Sequence, residues 1–102
     1  MTKTFKLSKP ISVIKNDQPI EIKELALREP TGDELMEMGM PFRVIRETNS
    51  DKFEIVMDTK VFKKMLGAIS GMPGEIGQLA GSDINNIFSW LTEVLAPTGN
   101  SE

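Results

Sequence analysis

The sequence predicts an α+β fold: an N-terminal β-hairpin followed by three to four short helices, with a second hairpin or a mobile loop over residues 42–57. Three observations carry this. Phe5, Leu7, Ile11 and Val13 are all odd-numbered, the period-two pattern of a half-buried strand. Asn16-Asp17-Gln18 is a turn signal between two such stretches. From residue 58 onward the apolar residues recur at helical spacing instead. A chain of 102 residues with 39% hydrophobic content is sized for one modest core. One domain over 1–97 and a disordered tail over 98–102 are expected.

The first strand is interrupted near Pro10, which has no N–H for a ladder. Ile20 and Ile22, then Leu25 and Leu27, continue the apolar face with a phase change around Lys23-Glu24. One extra residue there would act as a β-bulge and restore the buried side. Glu29-Pro30 ends the strand. Thr31-Gly32-Asp33-Glu34 fits a capping box, with Thr31 as N-cap, and opens a short helix through Leu35, Met36 and Met38. Gly39 and Pro41 stop it. Phe42, Val44 and Ile45 precede a polar stretch, after which Phe53, Ile55 and Met57 alternate again.

Asp58 suits the N-cap of the next helix. Val61, Phe62, Met65, Leu66 and Ile69 share one face of it, and Gly71 with Pro73 close it. Residues 73–80 have the length of about two helical turns, weakened by Gly74, Gly77 and Gly81. Ser82 or Asp83 begins the last helix. Its stripe is Ile84, Ile87, Phe88, Leu91 and Leu95, widened by Trp90 and Val94. Phe62, Met65, Leu66, Phe88 and Leu91 are the expected core.

The composition argues against catalysis. Cys, His and Tyr are absent, so the usual general base, the usual nucleophile pairings and the usual zinc and copper ligands are missing. No catalytic residue, cofactor or metal is expected. Glu34 and Glu37 sit at i, i+3 spacing, but they follow Asp33 at the exposed start of a helix, where acids complement the helix dipole. The glycine-rich run from Gly71 to Gly77 lacks the Lys-Ser/Thr ending of a phosphate-binding loop and reads as helix punctuation. Ser70 and Ser89 have no histidine to activate them. No apolar run reaches the roughly 20 residues that span a bilayer, and the N-terminus reads as a strand rather than a signal peptide.

Net charge is -3 and unevenly spread. Residues 1–30 carry six Lys/Arg against four Asp/Glu, whereas residues 65–102 carry four acids and no base. A nucleic-acid partner is therefore not expected. A protein partner is. Met36, Met38 and Met40 cluster with Phe42, and methionine suits both pliable binding surfaces and core filling. Trp90 and Val94 likewise fit either a small core or a partner-facing patch. These six residues are the candidate partner-binding set.

The segment Leu25-Ala26-Leu27-Arg28-Glu29-Pro30-Thr31-Gly32-Asp33-Glu34-Leu35, the later run from Met65 to Pro73, then Ile76, Leu79 and Asp83-Ile84 before an apolar helix, follow a recognisable order. In that order the chain resembles the small tail assembly chaperones of Mu-like and P2-like contractile-tailed phages and prophages. The resemblance covers most of the chain, with residues 40–57 as a variable insertion. It implies a non-enzymatic helper in the bacterial host cytoplasm, absent from the mature virion. Such a helper binds the tape measure protein and keeps it soluble for tail tube polymerisation. The family often makes a second product by frameshifting, which would bring the tail tube protein as a further partner. Thr98-Gly99-Asn100 can be encoded as ACG-GGA-AAC, which contains a slippery string. The alternatives are a small structural tail or baseplate subunit, and a regulatory nucleic-acid binder using Lys3, Lys6, Lys9, Lys15 and Lys23. Hairpin edges and the wide apolar last helix also suit homo-oligomer formation.

Overall fold

A computed structural model describes residues 2–48 and 52–95. The fold is α+β, with two antiparallel hairpins and three α-helices among the described residues. The chain forms two compact units, residues 1–29 with 74–102, and residues 30–73. The expected tail at 98–102, and the frameshift placement at Thr98–Asn100, lie outside the described residues. Among those described, no helix is long and apolar enough to cross a membrane.

The first unit is built on β1 (Thr2–Lys15) and β2 (Gln18–Arg28), paired antiparallel. Asn16 and Asp17 join them with φ of 52° and 61°. Positive φ at both central residues is the type I′ requirement, whose twist matches that of the flanking strands. The ladder breaks between Lys6 and Ile11 of β1 and resumes with Ile11 opposite Ile22. The surplus residues are thus in β1, over Leu7–Pro10, and not in β2 at Lys23-Glu24 as the alternation suggests. Pro10 cannot donate to the ladder, so β1 is the strand that leaves register while β2 runs on. The apolar face is restored on either side of the break: Ile11, Leu25 and Leu27 are fully buried.

Residues 73–80 do not make two helical turns. Only a 3-10 turn forms, at Ile76–Gln78, as glycines on both sides of it disfavour propagation. It lies against β1, burying Ile76 and Leu79. The last helix, α3 (Gly81–Leu95), also packs on β1. It starts ahead of Ser82 and Asp83, with the Ile84 N–H donating to the Ala80 carbonyl. Its buried seam is Asp83, Ile87 and Leu91. Phe88, expected in the core, is half-buried, as are Ile84, Trp90, Val94 and Leu95. The seam is therefore rotated from the predicted stripe toward Trp90 and Val94.

The second unit begins with α1 (Gly32–Met38). Thr31 and Glu34 form the capping box in full. The Glu34 N–H donates to Thr31 Oγ1 at 3.2 Å, and the Thr31 N–H donates to Glu34 Oε1 at 2.9 Å. The expected second hairpin is present as β3 (Phe42–Arg46) paired antiparallel with β4 (Phe53–Met57). Asp58 caps α2 (Thr59–Ser70) through a 3.3 Å bond from the Val61 N–H, and Gly71 closes that helix at a left-handed φ of 72°. Phe62, Met65, Leu66 and Ile69 are buried on α2. Phe62, Met65, Leu66 and Leu91 of the expected core are thus buried.

Candidate protein-binding site

The β3–β4 register sorts the hairpin into two faces. Phe42 lies opposite Met57, Val44 opposite Ile55, and Arg46 opposite Phe53. Side chains alternate along a strand, so these six share a face. That face is apolar except for Arg46. Its base is closed: Phe42 is 5% exposed, Pro41 is fully buried, and the Asp58 N–H donates to the Pro41 carbonyl at 2.8 Å. Its outer part is open, with Val44 51%, Ile55 42% and Phe53 60% exposed. The result is one apolar strip anchored at the base and uncovered toward the tip. Ile45, on the other face, is also exposed.

Of the six candidate binding residues, four lie in the 30–73 unit. Met36 is 85% exposed on α1 and Met40 is exposed just after it. Met38 is half-buried and lines a groove along α2. Phe42 is buried and offers a partner almost no surface of its own. Trp90 and Val94 lie in the other unit, both half-buried. The Trp90 ring meets Phe5 edge-on, with centroids 5.7 Å apart and planes at 75°, and Lys3 Nζ stands 6.0 Å from the same Phe5 ring. Such an edge contact is favourable for aromatic quadrupoles. Part of the Trp90 surface is therefore spent inside its own unit.

The groove along α2 has a volume of about 440 Å³ and is lined by Met38, Lys60, Val61, Lys63, Lys64, Gly67 and Pro73. Sequence reasoning missed both it and the exposed hairpin strip. Lys60, Lys63 and Lys64 at i, i+3, i+4 were the available signal for the first. For the second it was the alternation of Phe53 and Ile55, which fixes a face but not whether anything covers it.

Three polar features noted in the sequence have structural partners. The Glu34 carboxylate is held by the capping box. The Ser70 hydroxyl donates to the Gly67 carbonyl at 3.3 Å and accepts the Met72 N–H at 3.1 Å, closing the end of α2. Asp83, 4% exposed, accepts the Ser8 N–H on both carboxylate oxygens at 3.0 Å and the Ser8 hydroxyl at 3.1 Å. Among the described residues no cluster of three His, Cys, Asp or Glu side chains gathers where a metal ion could be held.

No protein-family model, curated protein or solved structure matches the chain.

Proposed function

We propose that the chain is a tail assembly chaperone that binds the tape measure protein of a contractile-tailed phage and keeps it soluble until the tail tube forms around it. The supporting observation is the uncovered apolar strip of Val44, Ile55 and Phe53, with Met36 and Met40 exposed in the same unit. A tape measure chain is long and apolar, and it aggregates unless its surface is covered. Exposed apolar side chains on a small, net-acidic chain can cover it while the complex stays dispersed. Thioether side chains adapt to a repeating helical surface without one fixed register.

The test is co-expression with the long helical polypeptide encoded beside it. The wild-type chain should raise the soluble yield of that polypeptide and co-purify with it. The double change Val44→Ser with Phe53→Ser should reduce both effects while leaving the circular dichroism spectrum unchanged, because both side chains are exposed. Failure of the wild-type chain to co-purify or solubilise would refute the proposal. Stoichiometric presence in mature particles, measured by mass spectrometry, would favour a structural tail subunit instead.

A further inference from the structure

The three lysines of the α2 groove stand where they do the helix no good. Lys60 lies in the first turn, the end that carries the positive partial charge of the dipole and favours anions, and Lys63 and Lys64 follow one turn later. Lys60 is one turn from Lys63 and Lys64, so like charges also face one another at the spacing where they repel. No acidic residue of α2 offsets them, since the helix contains none, and its N-cap Asp58 carboxylate is engaged by the Val61 N–H. All three ammonium groups are on exposed residues. The floor between them is apolar: Met38, Val61, Gly67 and Pro73.

We propose that this groove is a docking site for an acidic amphipathic helical segment of a partner protein. It deepens the function proposed above by naming the chemistry of the segment held, and rests on that reading only for the partner's identity. Carboxylates at i, i+3 or i+4 on the partner meet Lys60, Lys63 and Lys64, whose spacing repeats the same helical period. An apolar side chain between them fills the floor. A phosphate chain would satisfy the ammonium groups but leave the apolar floor against its own charged backbone, whereas a carboxylate-bearing helix satisfies both. Complementary charge fixes orientation and speeds encounter, and the apolar anchor supplies the residence time. Binding removes the lysine repulsion and the dipole mismatch together.

The test uses three synthetic amphipathic helices with the same leucine stripe and with Glu, Gln or Lys on the polar face. Binding to the full chain is followed by fluorescence anisotropy and by amide NMR. The Glu helix should bind, shifting the amides of Lys60, Lys63, Lys64 and Gly67. Its affinity should fall at least about tenfold in the triple variant K60E/K63E/K64E and weaken steadily from roughly 50 to 500 mM salt. The Lys helix should not bind the wild-type chain and should bind the triple variant. Equal binding of the Glu and Gln helices, shifts confined to other residues, or no binding of the Glu helix would overturn the proposal. So would tighter binding of a single-stranded oligonucleotide than of the Glu helix. A dimer in sedimentation that the triple variant dissolves would assign the groove to a second copy and overturn it as well. The wild-type amide map decides the matter even if the triple variant misfolds. If the Glu helix fails while the tape measure chain still co-purifies, this inference falls and the proposed function stands. The reverse result spares the groove.

Discussion

Asp83 is the side chain whose removal should reveal how the first unit is held. It is nearly fully buried near the start of α3, and its partner, Ser8, lies 75 positions away in the out-of-register part of β1. The Ser8 N–H, displaced from the β ladder, reaches both carboxylate oxygens at 3.0 Å, and the hydroxyl adds a bond at 3.1 Å. Hydrogen bonds to a charged group contribute roughly 1.5–3 kcal/mol net. Ser8 is itself exposed, so its hydroxyl recovers water when the partner is lost, and the shared N–H counts as one bond. Asp83→Ala should therefore cost about 2 kcal/mol, lowering the melting temperature by roughly 8–16 °C in a chain of this size. Asp83→Asn keeps one acceptor but turns an amide donor toward the remaining contact, at about 1–2 kcal/mol. Ser8→Ala spares the backbone bond and should cost less than about 1 kcal/mol. Urea and thermal melts by circular dichroism give the ranking. Exchange of the Ser8 amide should quicken in Asp83→Ala but hardly in Ser8→Ala. A loss below about 0.5 kcal/mol for Asp83→Ala, or an equal loss in Ser8→Ala, would refute the reasoning.

Four further outcomes follow from the same geometry. Asp17→Gly should stabilise the chain by up to about 1 kcal/mol in urea unfolding, because Asp17 holds a φ of 61° that glycine adopts freely. The Gln78 amide accepts the Ser12 N–H at 2.8 Å and donates to the Ser12 carbonyl at 2.9 Å, as a neighbouring strand would. Gln78→Ala should cost about 1 kcal/mol and speed exchange of the Ser12 amide, and Gln78→Glu should cost more because a carboxylate cannot donate. Trp90→Ala should destabilise by about 2 kcal/mol, and Phe5→Ala should shift the tryptophan emission to the red, since the two rings touch. Lys60→Glu should raise the melting temperature modestly at low salt and less at high salt, as it places an acid in the first turn of α2.

Local chemistry was readable along the chain. Asn16-Asp17 as a turn, Thr31 with Glu34 as a capping box, Asp58 as an N-cap and Gly71 as a helix end each depend on neighbours within four positions. What escaped depends on residues far apart. The alternation of β2 changes phase at Lys23, but extra residues in either strand produce the same pattern, and only the missing N–H of Pro10 decides between them. The rotation of α3 is of the same kind. Asp83 looks like a helix start until Ser8 arrives to satisfy it, and Trp90 fits core and partner patch alike until Phe5 meets its ring. For the candidate site, Met36, Met38 and Met40 were visible as a cluster. The groove was not, because its floor unites Met38 and Pro73 with Val61 and Gly67 of α2, and only packing brings these together.

The second hairpin carries a further consequence. Its strands are five residues long, and a two-stranded sheet of that length has little stability of its own. What holds it is the base, where Phe42 is buried opposite Met57 and the Asp58 N–H reaches the Pro41 carbonyl. Beyond that base, Val44, Ile55 and Phe53 spread apolar surface into water, so little burial secures the outer part of β3 and β4. A segment with so few buried contacts opens locally at low cost. Any partner that covers the strip binds the formed hairpin better than the opened one, so binding and local order are linked and each raises the other. A surface of this kind gives up part of its binding energy to holding β3 and β4 in the paired state. That lowers affinity for a given area, and under the proposed function such a limit would let the chain release its client instead of holding it at the maximum affinity its contacts permit.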